Sequence, residues 1–251
     1  MRAQRLSDIL DRVAERGGVN VVELAEQLDV SGATIRRDLH VLHEQGLLMR
    51  THGGAMPNRT GIERPIRYRE ARQHEEKRRI GAAAARLVDD GAVVGMTGGT
   101  TGTEVARALA HRRNITVVTN ALNIAAELMS RPEIRLVVVG GNARHASYEL
   151  VGPAAEAMVA QYHFDLAFIG TDGFTLTQGC TTHDEMEAHT DLAFIRQAGR
   201  TVVITDSTKI GKVTFARICG LDAVDDLITD TGADPATLAA VRLAGVQVTV
   251  A

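Results

Sequence analysis

Residues 30–39 read Val30-Ser31-Gly32-Ala33-Thr34-Ile35-Arg36-Arg37-Asp38-Leu39. Ser31 is a good N-cap, because its hydroxyl can accept from the free amides of the next turn, and Gly46 after Gln45 is a good stop. The spacing therefore predicts a helix over 31–45. Working outward, Leu6, Ile9, Leu10 and Val13 recur at helical intervals within 3–15, and Gly17-Gly18 ends that helix. A second helix is expected over 22–28, with Asp29-Val30 as the turn into the third. Downstream, Leu47-Leu48-Met49-Arg50 followed by Gly53-Gly54 predicts a short strand and a tight turn, the form of a wing.

In the third helix Ile35, Leu39 and Leu42 must face a core, which leaves Ala33, Arg37 and His40 on the opposite side and Arg36 and Thr34 on its flanks. This face is small and polar at its start and basic beyond it. A DNA major groove admits a helix of this kind: small residues allow close approach, and arginines bond guanine edges in bidentate fashion. Arg36 and Arg37 are the candidates for base contact, while Ser31 and Thr34 suit phosphate. The same pattern also describes a three-helix protein-interaction module with a solvated basic face, since topology alone is not function.

The tract 30–39, continued by Leu42, Glu44, Gly46, Leu47, Arg50 and His52-Gly53-Gly54-Ala55, closely resembles the signature of DeoR-family bacterial transcriptional regulators. The resemblance implies a winged helix-turn-helix that binds double-stranded operator DNA, with Arg50 and His52 near the wing where backbone contacts are made.

From Ile80 onward short apolar runs alternate with helical stretches. Strands are expected at 92–96, 115–119, 134–139, 165–169, 201–205, 226–229 and 246–250. Runs buried on both faces and separated by helices predict an α/β domain with a mainly parallel sheet. After the first of these strands, Thr97-Gly98-Gly99-Thr100-Thr101-Gly102-Thr103 leads straight into a helix. Glycines let the backbone approach a ligand, hydroxyls donate to oxygen, and a helix N-terminus offers exposed amides and the positive end of its dipole, all of which suit a phosphate. The loop lacks both the Gly-Lys-Ser/Thr of a nucleotide-binding P-loop and a G-x-G-x-x-G fingerprint. A tight strand-to-helix turn would look the same. Asn120, Gly140-Gly141, Asp172-Gly173 and Asp206 with Lys209 also fall at strand C-terminal ends, the edge where open α/β sheets bind ligands.

Gly99-Thr100-Thr101, Thr119-Asn120, Gly140-Gly141, Gly170-Thr171-Asp172-Gly173 and Asp206-Ser207-Thr208-Lys209 resemble the sensor domain of the same family. That domain is similar in fold to ribose-5-phosphate isomerase and glucosamine-6-phosphate deaminase. The resemblance implies an effector pocket for a phosphorylated sugar or related metabolite. In it Gly98, Gly99, Thr100, Thr101 and Gly102 hold phosphate, Lys209 is a cationic partner, and Asp172 and Asn120 bond sugar hydroxyls. Gly141, Gly173, His183 and Glu185 are expected at its wall. Thr97 stands where many members carry an acidic residue, so effector identity does not carry over. His183 and Glu187 share a helical face but lack a third ligand at compatible spacing, so no metal is expected. No cofactor is expected either.

Composition bounds these readings. The chain has 251 residues, 45% hydrophobic and 24% charged, which excludes disorder and collagen-like architecture. Residues 1–86 carry 16 Lys and Arg against 12 Asp and Glu, whereas the remainder carries 12 against 19, so the basic end is the N-terminal third. Cys180 and Cys219 form no disulfide framework of the secreted kind, the N-terminus has no signal-peptide pattern, and no apolar run would span a membrane; a cytoplasmic protein is expected. The expected organisation is a winged module over 1–57, a linker and connecting helix over 58–79, and an effector domain over 80–251. The expected function is a DNA-binding regulator, a repressor of a carbohydrate operon, acting as a dimer or higher oligomer. The alternative is a sugar-phosphate isomerase or deaminase with an appended module, with Asp172, Glu185 and Lys209 as acid-base groups.

Overall fold

The computed structural model describes residues 2–58, 63–70 and 72–251 and divides the chain into two compact units, Met1–Arg72 and Gln73–Ala251. The first unit holds α1 (Arg2–Arg16), β1 (Val19–Asn20), α2 (Val21–Gln27), α3 (Gly32–Glu44), β2 (Leu48–Arg50), β3 (Gly54–Pro57) and the single turn α4 (Ile66–Arg69). Leu6, Ile9, Leu10 and Val13 of α1 meet Leu24 of α2 and Ile35, Leu39 and Leu42 of α3 in one core. The helical spacing of these residues is the reason the three helices pack. Gly17 and Gly46 end α1 and the third helix with positive φ, as expected of C-terminal stops.

Two features of this unit were not legible. β1 joins the wing, giving a three-stranded antiparallel sheet in the order β1-β3-β2. Gly54 makes this possible, because a Cβ there would lie 1.8 Å from the Val19 carbonyl oxygen. The stretch expected as linker also divides differently. Tyr68 of α4 enters the core, the Ser7 hydroxyl donates to the Tyr68 carbonyl at 2.7 Å, and Arg64 donates to the Leu10 carbonyl at 2.8 Å. Residues 63–70 are thus part of the N-terminal unit, held by one aromatic anchor that a dense charge run concealed. Residues 59–62 and 71 of the expected linker lie outside the described residues.

The second unit comprises α5 (His74–Ala85), β4 (Val93–Met96), α6 (Thr100–Leu109), β5 (Thr116–Thr119), α7 (Leu122–Leu128), β6 (Arg135–Val138), β7 (Asn142–Arg144), β8 (Glu149–Val151), α8 (Pro153–Val159), β9 (Leu166–Ile169), β10 (Gly173–Thr175), β11 (Gly179–Thr182), α9 (Glu185–Arg196), β12 (Thr201–Ile204), β13 (Ala216–Cys219), β14 (Asp226–Thr229), α10 (Pro235–Leu243) and β15 (Gln247–Val250). α5 runs through residue 80, so the helix expected as a connector belongs to this unit.

Seven strands form an all-parallel sheet in the order β15-β14-β12-β9-β4-β5-β6. They are the seven expected strands: β14 keeps its expected bounds, 226–229, and the other six are shorter by one or two residues. Alternate residues feed two cores: Val202 and Ile204 of β12 join Val94, Met96 and Phe168 on one face, while Val203 joins Ala167, Ile169 and Leu227 on the other. From β4 the chain first moves outward through β5 and β6, then returns to β9 on the other side of β4. The strand order therefore reverses between β4 and β9, and such a reversal opens a crevice at the strand C-termini. Two small antiparallel pieces, the hairpin β7-β8 and the sheet β10-β11-β13, complete the unit.

Candidate functional site

In the N-terminal unit, Ser31 caps α3: its hydroxyl accepts from the Thr34 amide at 3.2 Å and is hydrogen-bonded to the Thr34 hydroxyl at 2.9 Å. Ala33, Arg36, Arg37 and His40 are exposed along one side of α3, with Thr34 half-buried at its start. Asp38, on the same helix, is buried and turned inward, accepting from Arg5 of α1 at 2.6 Å. That pair ties the angle of α3 to α1. Arg50 on β2 and His52 in the wing turn are exposed and line, with Arg36, a cleft of about 170 Å³ between α3 and the wing. Hence the fold brings Arg36, Arg50 and His52 together, and Arg37 and His40 stand further along α3.

In the second unit, the loop after β4 and the loop after β9 meet at the sheet's reversal. The Gly170 amide donates to the Thr97 hydroxyl at 3.0 Å, and a Cβ on Gly170 would lie 2.6 Å from the Gly98 carbonyl oxygen. Gly99, with φ +105°, is the N-cap of α6 and provides no side-chain cap. Among the described residues, the first-turn amides of α6, from Thr100 to Gly102, are left for another acceptor. Asp172 and Lys209 stand beside this loop: the Lys209 ammonium donates to the Thr171 carbonyl at 2.7 Å and is 3.3 Å from the Asp172 carboxylate.

Besides the expected Asn120, four side chains that sequence reasoning did not place at this site lie there: Glu149, Glu187, Asp191 and Lys77. Glu149, brought in by the β7-β8 hairpin, is buried and accepts from the Gly98 amide at 2.8 Å, with Asn120 Nδ2 at 3.5 Å. Asn120 is fully buried, and its Oδ1 has no partner among the described residues. Glu187, buried on α9, accepts from Arg144 at 2.8 Å and from the Thr182 hydroxyl, whose oxygen is 3.4 Å from Asp172. Burial, then Glu149 and Asp172, push the Glu187 carboxyl well above its usual range. Asp191, one helical turn on, is pushed up in the same way by burial and then by Glu149, Glu187 and Asp172. Lys77 of α5 is a buried cation. Although burial raises the Asp206 carboxyl, Lys209, the Thr208 hydroxyl and Lys77 together hold it below its ordinary value.

Of the other expected wall residues, Gly141 is exposed on the hairpin and Gly173 is buried as the first residue of β10. Glu185 is exposed in the first turn of α9. Asp184 takes the cap of that helix, accepting from the amides of Met186 and Glu187, so the carboxyl that turns inward is Glu187, two residues after Glu185. His183 precedes α9, so it does not share a helical face with Glu187. The spacing of Glu187 and Asp191, four apart among the buried Ala188, Phe194 and Ile195, was the available signal for two inward carboxyls.

Comparison with known proteins bears on both units. Residues 5–60 match the DeoR-like helix-turn-helix domain and residues 72–231 the DeoR C terminal sensor domain. Similar curated proteins include the HTH-type transcriptional regulator GlpR of Haloferax volcanii, 35% identical over 98% of this chain and 96% of that protein. The glycerol-3-phosphate regulon repressor of Escherichia coli is 33% identical over 91% of each chain. The HTH-type transcriptional repressor CsqR of Escherichia coli is 34% identical over 90% of this chain and 87% of that one. Among solved structures, ribose 5-phosphate isomerase A of Methanocaldococcus jannaschii aligns over 55% of each chain at 21% identity, with a TM-score of 0.42.

Proposed function

The chain belongs to the DeoR family of DNA-binding transcriptional regulators, and from that premise we propose that it is a repressor whose operator is released by a phosphorylated sugar or related metabolite. Arg36 and Arg37 read base edges from α3, Ala33 lets the helix approach, and Ser31, Thr34, His40, Arg50 and His52 hold phosphates and set the register. In the pocket the phosphate sits on the α6 N-terminus, against Gly98, Gly99, Thr100, Thr101 and Gly102, with Lys209 as its cation. Asp172, Asn120, Glu149 and Glu187 supply acceptors and donors for sugar hydroxyls. The observation that carries this reading is the uncapped first turn of α6 at the reversal of the sheet, beside the Asp172–Lys209 pair.

Control requires that the effector bind the DNA-competent and DNA-incompetent states with different affinity. A helix-turn-helix reads paired half-sites about one DNA turn apart, so the working unit is a homodimer or larger, acting in the cytoplasm. Two relatives support the repressor reading by name, one of them a glycerol-3-phosphate regulon repressor. The experiment is fluorescence anisotropy on DNA from upstream of the protein's own gene. Arg37→Ala should weaken specific binding with effector binding intact, and Lys209→Ala should weaken effector binding with DNA binding intact. Loss of both activities in either variant would overturn the assignment.

The buried Glu187, with its carboxyl pushed up and Asp172 and Lys209 close by, also favours a second reading as a sugar-phosphate isomerase. We read the chain as a regulator without catalysis; turnover of ribose 5-phosphate or glucosamine 6-phosphate by purified protein would replace that reading.

A further inference from the structure

The chain carries two cysteines, Cys180 and Cys219, and both are free thiols. They lie 39 positions apart in sequence, yet β11 and β13 place them directly opposite each other as register partners in an antiparallel ladder. In a regular antiparallel ladder such partners have Cα atoms about 4.5–5.5 Å apart, within the roughly 4.4–6.8 Å that a disulfide spans, and the register here shifts just beside the pair, between Cys180 and Thr181. Gly179 and Gly220 draw the strands together at this point: a Cβ on Gly179 would lie 2.2 Å from the Cys219 carbonyl oxygen. We propose that Cys180 and Cys219 are a reversible dithiol–disulfide pair, making the junction of β11 and β13 a covalent modification site oxidised by hydroperoxides.

The two sulfurs are not equivalent. Cys180 is fully buried on the middle strand, whereas Cys219 lies on the edge strand β13 and keeps a small exposed area. A hydrogen bond from the Cys180 thiol, helped by the Cys180 backbone and Arg217, holds Cys219 below the usual thiol range. The same bond, with burial, pushes Cys180 well up. Cys219 is therefore the attacking thiolate. Its sulfur attacks the terminal peroxide oxygen, the O–O bond breaks, and the other oxygen takes up a proton and leaves as water from hydrogen peroxide or as an alcohol from an organic hydroperoxide, so Cys219 becomes a sulfenic acid. The Cys180 sulfur then attacks the Cys219 sulfur, the S–O bond breaks, the sulfenic oxygen leaves as water with the Cys180 proton, and the S–S bond closes. Two electrons pass from the sulfurs to the peroxide. A dithiol reductant reverses the change. The bridge would pin β13 to the strand that ends in Thr182.

The test uses the full-length chain, reduced, freed of reductant and exposed to hydrogen peroxide. It is then denatured with N-ethylmaleimide, weighed intact and digested without reductant. The expected result is loss of the mass of two hydrogens, no maleimide adduct, and a linked peptide pair containing Cys180 and Cys219 that dithiothreitol separates. In addition, Cys180→Ser should trap a dimedone-reactive sulfenic acid on Cys219, while Cys219→Ser should leave Cys180 unlabelled at the same dose. Two maleimide adducts after peroxide, or crosslinks only between chains, would overturn the proposal. None of these readouts depends on DNA or effector binding.

Discussion

Glu149 and Gly98 are joined by a 2.8 Å hydrogen bond in which the glycine amide donates to the carboxylate, and a Cβ on Gly98 would collide with that same side chain. A protein carboxylate thus already occupies the first amide of the loop proposed to hold phosphate, and an incoming anion is left with the amides of the α6 first turn. The negative charge at this spot opposes a phosphate. Glu149→Gln keeps an acceptor for the Gly98 amide and removes the charge. It should tighten binding of inorganic phosphate or a sugar phosphate by roughly three- to tenfold, about 1 kcal/mol, read by isothermal titration calorimetry. Unchanged or weaker binding would place the anion elsewhere.

Asp191 sets a pH dependence of stability. Its folded carboxyl is raised well above the ordinary value, by burial first and then by Glu149, Glu187 and Asp172, and its Oδ1 has no hydrogen-bond partner among the described residues. A raised carboxyl contributes stability that is fully present below the unfolded value of about 3.9 and is lost as pH rises through the folded value, by about 1.4 kcal/mol for each pH unit between the two. Asp191→Asn removes that loss. In urea unfolding the variant should exceed the wild type at pH 8 by more than it does at pH 5, and an equal difference at both would contradict the account.

Arg37 and Arg50 should separate by kind of contact. Arg37→Ala is expected to relax base preference at one position, costing about 1–3 kcal/mol on the best operator. Arg50→Ala should weaken all DNA about equally and lower the slope of log affinity against log salt by about 1. Competition binding across an operator library at two salt concentrations distinguishes them, and a uniform loss from Arg37→Ala would make it a phosphate contact.

Asp38 lies on α3, the helix proposed to face DNA, but serves the core, where its carboxylate accepts from Arg5. Asp38→Ala leaves a half-buried guanidinium without its partner. It should destabilise the N-terminal unit by about 1–3 kcal/mol, seen as a lower melting temperature together with loss of operator binding. A normal melt with lost binding would instead give Asp38 a direct role on DNA.

Most of the architecture was legible because apolar spacing carries it. Leu6 to Val13 and Ile35 to Leu42 announce two helices, and the runs around Val94, Val117, Phe168 and Val202 announce buried parallel strands. What escaped were elements whose burial depends on partners distant in sequence. β1 is two residues that pair only because Gly54 lets the backbones meet. Tyr68 anchors α4 from within a run of charges. The β7-β8 hairpin holds few apolar residues, and without it nothing in the local sequence says that Glu149 reaches Gly98 or Arg144 reaches Glu187. The site reading therefore found the glycines, Asp172 and Lys209 at the strand ends. It placed Glu185 rather than Glu187 at the pocket wall because the phase of α9 is fixed by the Asp184 cap, which the local spacing does not announce.

The most direct test of the regulator account is release of operator DNA by a ligand. Fluorescence anisotropy would follow the full chain on labelled DNA from upstream of its own gene, against unlabelled random competitor, as a panel of sugar phosphates and the corresponding unphosphorylated sugars is added. The account predicts specific, salt-sensitive binding that a phosphorylated compound reverses and its unphosphorylated counterpart does not. Binding no tighter than to random DNA, with turnover of a sugar phosphate in the same preparation, would contradict it.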